Sequence, residues 1–310
     1  MQDAAIDPIR LSVAICTHNR GRETERCLAA LSPAPEGVET LVIDSGSAPR
    51  EAELIRAAAA RHDATHVRLP APGLSEARNA ALAAARGRWI AYLDDDATPA
   101  RDWCAVLLRT VAADPELAAT GGPILPQWQA QLPCWWPPSL RAVLTIIDQV
   151  RPSEPGVADI DPYGANIAFR RDVLARFGGF PTCLGRRAGL MISNEETYII
   201  RRLRRGGLKV RFTPDLVVHH EIDRSRLNPA WLVRRQYWSG VSEAVMLGAL
   251  GEPRLARAAR LALHALLLAP FGLWPPASTG QIGLRCKAAY ARGFLRGALG
   301  EGHIVHPALP

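Results

Sequence analysis

Three consecutive carboxylates, Asp94-Asp95-Asp96, close the apolar run WIAYLD and extend past it. Such a triplet repels itself and costs stability unless a cation or solvent relieves it. Hard divalent ions such as Mg2+ and Mn2+ take oxygen ligands and bridge a few carboxylates to substrate phosphates. The competing structural role is an acidic turn that feeds the dipole of a following helix. A second acidic pair, Glu195-Glu196, heads a helical run and favours that helix's dipole in the same way. Adjacent helical residues point about 100° apart, so only one of the two can face a given ligand well. His219-His220 ends a strand-like run, and Arg78-Asn79 lies inside an Ala-rich helical one.

The elements that must position these groups alternate. LSVAIC (11–16), VETLVID (38–44) and WIAYLD (89–94) are short apolar or β-branched runs that end in polar residues. Between and after them, RETERCLAAL, residues 51–61 and EARNAALAAAR read as helices. Ser75 is expected to cap the third, which stops at Gly87. Thr98 is expected to cap a fourth helix with Pro99 at its first position and Asp114-Pro115 at its end. This alternation predicts a parallel sheet with helices on both faces. Ligands bind such sheets outside the carboxyl ends of the strands. The polar clusters Thr17-His18-Asn19-Arg20, Asp44-Ser45-Gly46-Ser47 and Asp94-Asp95-Asp96 all fall there, and their coincidence is more informative than any one of them.

From residue 121 to 187 the pattern loosens. PQWQAQLPCWWPPS reads as an irregular loop, either near a substrate or closing the core. DPYGANIAFRRDVLARFGGF predicts a turn, a short strand and a helix ending at Gly178-Gly179. A helix over 195–205 is stopped by Gly206-Gly207, its RRLRR run marking a solvated face. LKVRFTPDLVVHH predicts two short strands about a Pro turn, and after Asn228 the chain reads as helical.

At 310 residues the chain can bury a sizeable core. Its net charge of +7 suits an anionic partner, although the Arg-, Ala- and Pro-rich composition explains the charge equally well. Six scattered cysteines without a C-x-x-C pair argue against a disulfide framework and for a reducing cytoplasm. The N-terminus has no signal-peptide pattern. The apolar run over 261–274 is shorter than the roughly 20 residues a membrane span needs. Preceded by Arg254, Arg257 and Arg260, it has the pattern of an interfacial helix, with packing onto the rest of the protein as the alternative.

Taken in order, VAICTHNR, LVIDSGS, GLSEARNAALAAARGRWIAYLDDD, YGANIAFRRDVLARFGGF, NEETYIIRRLRRGG and PDLVVHHEIDRSRL form a series that resembles the family 2 glycosyltransferases of the GT-A fold. The resemblance runs over roughly residues 11–240. It implies an α/β fold, a Rossmann-like nucleotide-binding sheet with helices on both faces, followed by a helical C-terminal appendage. The expected division is a catalytic domain over 1–227, with a nucleotide-sugar half to about residue 120 and an acceptor half over about 121–227, then a helical region over 228–310. The implied reaction is inverting transfer of a sugar from a UDP-, dTDP- or GDP-sugar to an acceptor hydroxyl, assisted by Mn2+ or Mg2+. The implied acceptor is a carbohydrate or a lipid-linked one, in cell-surface polysaccharide, glycoconjugate or secondary-metabolite synthesis. A cytoplasmic enzyme in peripheral contact with an anionic membrane would fit it.

Carried over residue by residue, the resemblance implies that Thr17, Asn19 and Arg20 contact the nucleotide and that Asp44 recognises base or ribose. Arg78 and Asn79 line the nucleotide pocket. Asp94 and Asp96 match the acids of a metal-holding Asp-x-Asp motif, with Asp96 the more direct ligand, Asp94 and Asp95 also meet the nucleotide, and His220 rather than His219 completes the metal site. Glu196 matches the general base and Glu195 its supporting neighbour; this chain departs from the family's usual Glu-Asp by one methylene. Gly164, Ala165 and Asn166 flank the acceptor and donor sugar, the glycine admitting the sugar closely. Arg226 meets the diphosphate as a charge-assisted donor.

Two other classes share some of these features. A nucleotidyltransferase would need a Gly- and Lys-rich phosphate loop near the N-terminus, which the sequence lacks. A non-catalytic binder has no need of both the Asp triplet and the acidic pair. No stripe of basic and aromatic residues tracks a nucleic-acid backbone, so no nucleic-acid partner is expected.

Overall fold

In the first third of the chain the alternating runs become a parallel sheet. The computed structural model describes residues 9–148, 160–187, 189–254, 256–258, 261–262 and 279–300. Strands β1 (Leu11–Thr17), β2 (Val38–Ser45), β3 (Thr65–Leu69) and β4 (Trp89–Asp94) pair in parallel in the order β3-β2-β1-β4. Register places Thr17 opposite Asp44 and Cys16 opposite Asp94, so the three polar clusters lie at neighbouring strand ends. Helices α1 (Gly21–Leu31), α2 (Pro49–Arg61), α3 (Leu74–Ala84) and α4 (Trp103–Ala113) flank the sheet. Strands covered on both faces are near-continuous apolar runs, as β1 is. Leu11, Val13 and Ile15 are fully buried with Leu28, Ile55, Trp103 and Leu107. At about 1.5–3 kcal/mol for each fully buried side chain of this size, that cluster anchors the sheet.

The sheet continues as a mixed one. Strand β8 (Asn166–Arg170) is antiparallel to both β4 and β6 (Leu117–Gly121), and β9 (Lys209–Phe212) runs parallel to β6. The turn, strand and helix expected from DPYGANIAFRRDVLARFGGF are β8 and α5 (Arg171–Arg176), and α6 (Glu195–Arg205) has the predicted bounds.

Four local expectations are corrected. Strand β3 is not evident in the sequence because it is an edge strand with half-exposed residues and weak alternation. Ser75 does not cap α3; it lies inside the first turn, the cap position is Gly73, and the helix ends at Ala84 rather than Gly87. Gly73 is held by Ser45 instead, whose Oγ accepts from Gly73 N at 2.8 Å. Thr98 and Pro99 do not begin a helix. They lie in strand β5 (Ala97–Pro99), antiparallel to β10 (Val218–Ile222), and α4 starts only at Trp103. That pairing sets His220 opposite Ala97, the residue after Asp96. The Trp-Pro segment is irregular over 129–137 as expected, but its ends are ordered, one in the last residues of β7 (Ile124–Trp128) and the other in a 3-10 turn over Pro138–Leu144. Trp136 is buried with Leu144, Ile222, Leu232 and Cys286, which gives the segment a core-closing role.

Two compact units divide the chain. The first comprises Met1–Pro126, Ile147–Phe180 and Ile199–His220; the second comprises Gln127–Ile146, Pro181–Tyr198 and Glu221–Pro310. In the second, Asn228 caps α7 (Pro229–Ala249) by accepting from Trp231 N at 2.9 Å, with Pro229 at the favoured first position. Helix α8 (Thr279–Ala298) packs on α7 backbone to backbone: a Cβ at Gly293 would sit 1.9 Å from Tyr237 O. Tyr290 donates to Glu243, which also pairs with Arg257 at 2.6 Å. Most of the apolar run expected at a membrane surface lies outside the described residues, with Arg260. Among the described residues no helix is long and apolar enough to cross a membrane, and no disulfide forms.

Candidate active site

The strand ends of the first unit hold a carboxylate cluster with its own counter-cation. Asp95 turns inward, accepting from Thr17 Oγ1 at 2.8 Å and from Arg20 Nη1 at 2.9 Å. The same Arg20 nitrogen donates to Asp96 Oδ2 at 2.7 Å. Burial raises the pKa of Asp95, Arg20 opposes that rise, and the neighbouring Asp96 adds to it. Burial acts to lower the pKa of Arg20, but Asp95 and Asp96 outweigh it and hold the guanidinium charged. The repulsion expected of the triplet is thus relieved, in part, from within the chain. On its other side Asp96 Oδ1 lies 3.3 Å from His220 Nε2, and both side chains are nearly buried.

Asp94 is the open member, its side chain about a third exposed and 3.5 Å from Arg78 Nη2. Arg78 is itself buried. Its guanidinium lies over the rings of Tyr92 and Phe180, 5.9 and 5.4 Å from their centroids, and donates to Gly164 O at 3.2 Å. A Cβ on Gly164 would meet that guanidinium at 2.3 Å, so the glycine here makes room for Arg78.

The loop after β1 is pinned to the loop after β2. Asn19 adopts a left-handed φ of 56°, which asparagine tolerates. It donates from its backbone to Ser47 Oγ at 2.8 Å and accepts from Ala48 N at 2.7 Å, while remaining exposed. Asp44 is fully buried and accepts from Ser47 N at 2.9 Å and Arg68 Nη1 at 2.8 Å.

These contacts show what each predicted side chain touches within the protein. Thr17, Asp44 and Asn166 are buried, and their side-chain bonds run to other protein groups. Asn166 accepts from Trp103 Nε1 at 3.0 Å and donates to Leu216 O at 2.6 Å, and Ala165 packs in the core. Asn79 brackets Phe180, donating to its carbonyl and accepting from its N–H, both at 2.8 Å. The side chains of Thr17, Asp44, Asn79, Ala165 and Asn166 thus bond or pack within the protein, while Asn19, Arg20 and Asp94 are more open and Asp96 is nearly buried beside His220. Arg68 was not anticipated. Register pairs it with Asp44 across β2 and β3, a signal that exists only once β3 is recognised.

The second unit carries the other predicted groups. Glu195 and Glu196 open α6 after Asn194, which has a φ of 76°. Glu195 is buried at 3% exposure, whereas Glu196 is half-buried. Arg235, on α7, donates to Met191 O at 3.4 Å and Ser193 Oγ at 3.2 Å, just ahead of the acidic pair. Its pKa is lowered to about 10, first by burial and then by Arg186 and, more weakly, Arg226, with Glu196 and Glu195 opposing. Arg226 is buried as well. Sequence reasoning missed Arg235 because the stretch is rich in arginines and nothing marks one of them. Among the described residues no three His, Cys, Asp or Glu side chains are grouped to hold a metal ion.

Comparison with known proteins bears on this geometry. The sequence profile of the family described as "Glycosyl transferase family 2" matches residues 12–178, more than half of the chain. A glucosyl-dolichyl phosphate glucuronosyltransferase from Haloferax volcanii is 29% identical over 254 residues, covering 77% of either chain. The succinoglycan biosynthesis protein ExoM of Rhizobium meliloti is 27% identical over 259 residues, 78% of this chain and 76% of its own. Among solved structures, a mannosyltransferase from Pyrobaculum calidifontis in complex with GDP-Man and Mn2+ superposes with a TM-score of 0.61 at 23% identity, over 95% of this chain and 89% of its own. That likeness shows the fold, a central α/β sheet flanked by helices with a helical C-terminal region. With the profile spanning all three strand-end clusters, the chain belongs to glycosyl transferase family 2 and is a glycosyltransferase.

Proposed function

We propose that this enzyme moves a sugar from a nucleotide-diphosphate donor to an acceptor hydroxyl with inversion, using a divalent cation at Asp96 and His220. The observation that carries the cation is the Asp96 Oδ1–His220 Nε2 pair at 3.3 Å. That spacing suits adjacent ligands of an ion with bonds of about 2.1 Å, and an oxygen with an imidazole nitrogen is a donor set Mn2+ accepts. Two protein ligands are few. Mg2+-type sites typically use one or two carboxylates and take the rest from substrate phosphates and water. When bound, the ion supplies electrostatic neutralisation of the departing diphosphate.

The chain's own residues do the rest. Asp94, open at the strand end, and Asn19, exposed in the β1 loop, are placed to meet the nucleotide. Arg78 holds Asp94 in place, while Arg226 is assigned to the diphosphate. Glu196 takes the acceptor's hydroxyl proton as that oxygen attacks the anomeric carbon on the face opposite the leaving group, so configuration inverts in one displacement. The choice of Glu196 over Glu195 is supported by exposure, since Glu195 is buried and Glu196 is half-buried. Likeness to the dolichyl-phosphate and succinoglycan relatives supports a carbohydrate or lipid-linked acceptor, handled in the cytoplasm and, where lipid-linked, at the membrane surface.

A thermal-shift screen of UDP-, dTDP- and GDP-sugars with and without Mn2+ tests the reading. A donor at 100 times its Kd stabilises the fold by about 2.7 kcal/mol. One donor class should shift Tm in the presence of Mn2+ and little without it. A shift indifferent to Mn2+ removes the cation, and retained anomeric configuration in the product removes inversion.

A further inference from the structure

Arg20 is an unusual residue for its place in the chain, the N-cap of α1. Arginine is not among the residues that cap a helix well, and a cation there opposes the helix dipole. The carboxylates at the strand ends supply the compensation. A single nitrogen, Nη1, lies 2.9 Å from Asp95 Oδ1 and 2.7 Å from Asp96 Oδ2. One positive centre thus bridges two nearly buried anions, as a bound cation would. The second oxygen of Asp95 accepts from Thr17 Oγ1 at 2.8 Å, which fixes that carboxylate from behind. With Asp96 Oδ2 engaged by Arg20, Oδ1 is the oxygen that stands beside His220 Nε2, at 3.3 Å. The guanidinium therefore orients Asp96 and at the same time cancels negative charge that would attract a divalent ion. Arg78 differs in both respects. It is buried over two aromatic rings and reaches only Asp94, at 3.5 Å, whereas the Arg20 side chain is about a third exposed.

We propose that Arg20 is the positioning residue that makes cation binding depend on the nucleotide. It offsets the charge of Asp95 and Asp96 and holds Asp96 Oδ2, so a divalent ion alone is bound weakly. A nucleoside diphosphate brings phosphate oxygens that complete the ion's ligands, and negative charge that offsets Arg20. Cation and nucleotide are thereby coupled, and each strengthens the binding of the other by the same factor. Arg20 acts on the ion through Asp96. The proposal rests on the reading of Asp96 and His220 as the cation site. The other role open to Arg20, contact with the nucleotide alone, leaves nucleotide-free cation binding untouched, which the test separates.

Mn2+ is titrated into the full chain by electron paramagnetic resonance, with and without saturating UDP, dTDP or GDP, for the wild type, Arg20→Gln and Arg20→Lys. Without nucleotide, Arg20→Gln should bind Mn2+ about tenfold more tightly than the wild type, because an opposing charge has gone. With nucleotide the two proteins should differ by less. One nitrogen makes both contacts, so the compact ammonium of Arg20→Lys can replace it and should keep the wild-type need for nucleotide. Thermal melts without nucleotide read the same competition: Mn2+ should raise the Tm of Arg20→Gln more than that of the wild type. Nucleotide-free Mn2+ binding that is unchanged or weaker in Arg20→Gln overturns the proposal. That result with a loss of nucleotide affinity assigns Arg20 to the nucleotide instead. Should Arg20→Gln not fold, Arg20→Lys decides, since nucleotide-free Mn2+ binding tighter than the wild type's would show that the charge is not the cause. A wild type without nucleotide-dependent Mn2+ binding is a failure of the cation reading itself, seen before any variant is compared.

Discussion

Around the strand ends of the first unit, Asp94, Asp95 and Asp96 outnumber the cations that reach them, Arg20 and Arg78. Around the start of α6 in the second unit, Glu195 and Glu196 lie near enough to Arg235 to offset part of the burial of its charge. The two regions handle their charges differently. In the first, the excess is tied down by short contacts, with Arg20 Nη1 at 2.9 and 2.7 Å from two carboxylates. In the second, Arg235 is anchored on neutral oxygens, and its charge is opposed rather than matched. The carboxylate excess at the strand ends costs stability in the empty protein, and a bound cation would repay it. That excess supports a cation with a diphosphate at the strand ends.

The largest expected effect comes from the one group in the second region assigned to move a proton. Glu196→Gln should keep fold and donor affinity and lower kcat by about 10²- to 10⁴-fold. Glu195→Gln should do less, since Glu195 is buried at the base of the helix. If Glu195→Gln is the inactive variant in a single-turnover assay, the base is misassigned by one residue.

Next in size is the opposed response of the two regions to losing an arginine. Arg20→Ala leaves Asp95 and Asp96 facing each other, nearly buried. It should cost about 1–2 kcal/mol in denaturant unfolding, less than a fully buried pair because Arg20 is about a third exposed. Adding Asp95→Asn should recover part of that loss. Arg186→Gln removes a like charge, so it should leave stability unchanged or raise Tm by about 1 °C at low salt, an effect that added salt erases. Destabilisation by Arg186→Gln, or none by Arg20→Ala, would dissolve the contrast.

How much of this was legible beforehand follows from the kind of signal each feature leaves. Strands β1, β2 and β4 are covered on both faces and so are continuous apolar runs. Helix α6 was bounded correctly because Glu195-Glu196 and Gly206-Gly207 mark its ends. Strands β3 and β5 left no such trace: one is a half-exposed edge, and the other exists because β10 pairs with it. Thr98-Pro99 accordingly resembled a helix start. At the site, the Asp triplet and His220 were visible as residue types, but Asp95's inward turn depends on Thr17 and Arg20 from another strand end. Asp44, Asn79 and Asn166 carry polar side chains that serve a binding role or a framing role equally well. Their partners Arg68, Phe180 and Trp103 lie 24, 101 and 63 residues away, beyond any local pattern.

The central claim is that Asp96 and His220 hold a divalent cation for the donor diphosphate. Its most direct test is an electron paramagnetic resonance titration of Mn2+ into the wild-type chain and Asp96→Ala, each with saturating nucleoside diphosphate of the donor class found by the thermal screen. The account predicts nucleotide-dependent Mn2+ binding in the wild type and its loss, by at least about tenfold in Kd, in a variant that remains folded by circular dichroism. Equal Mn2+ affinity in the two proteins would contradict it.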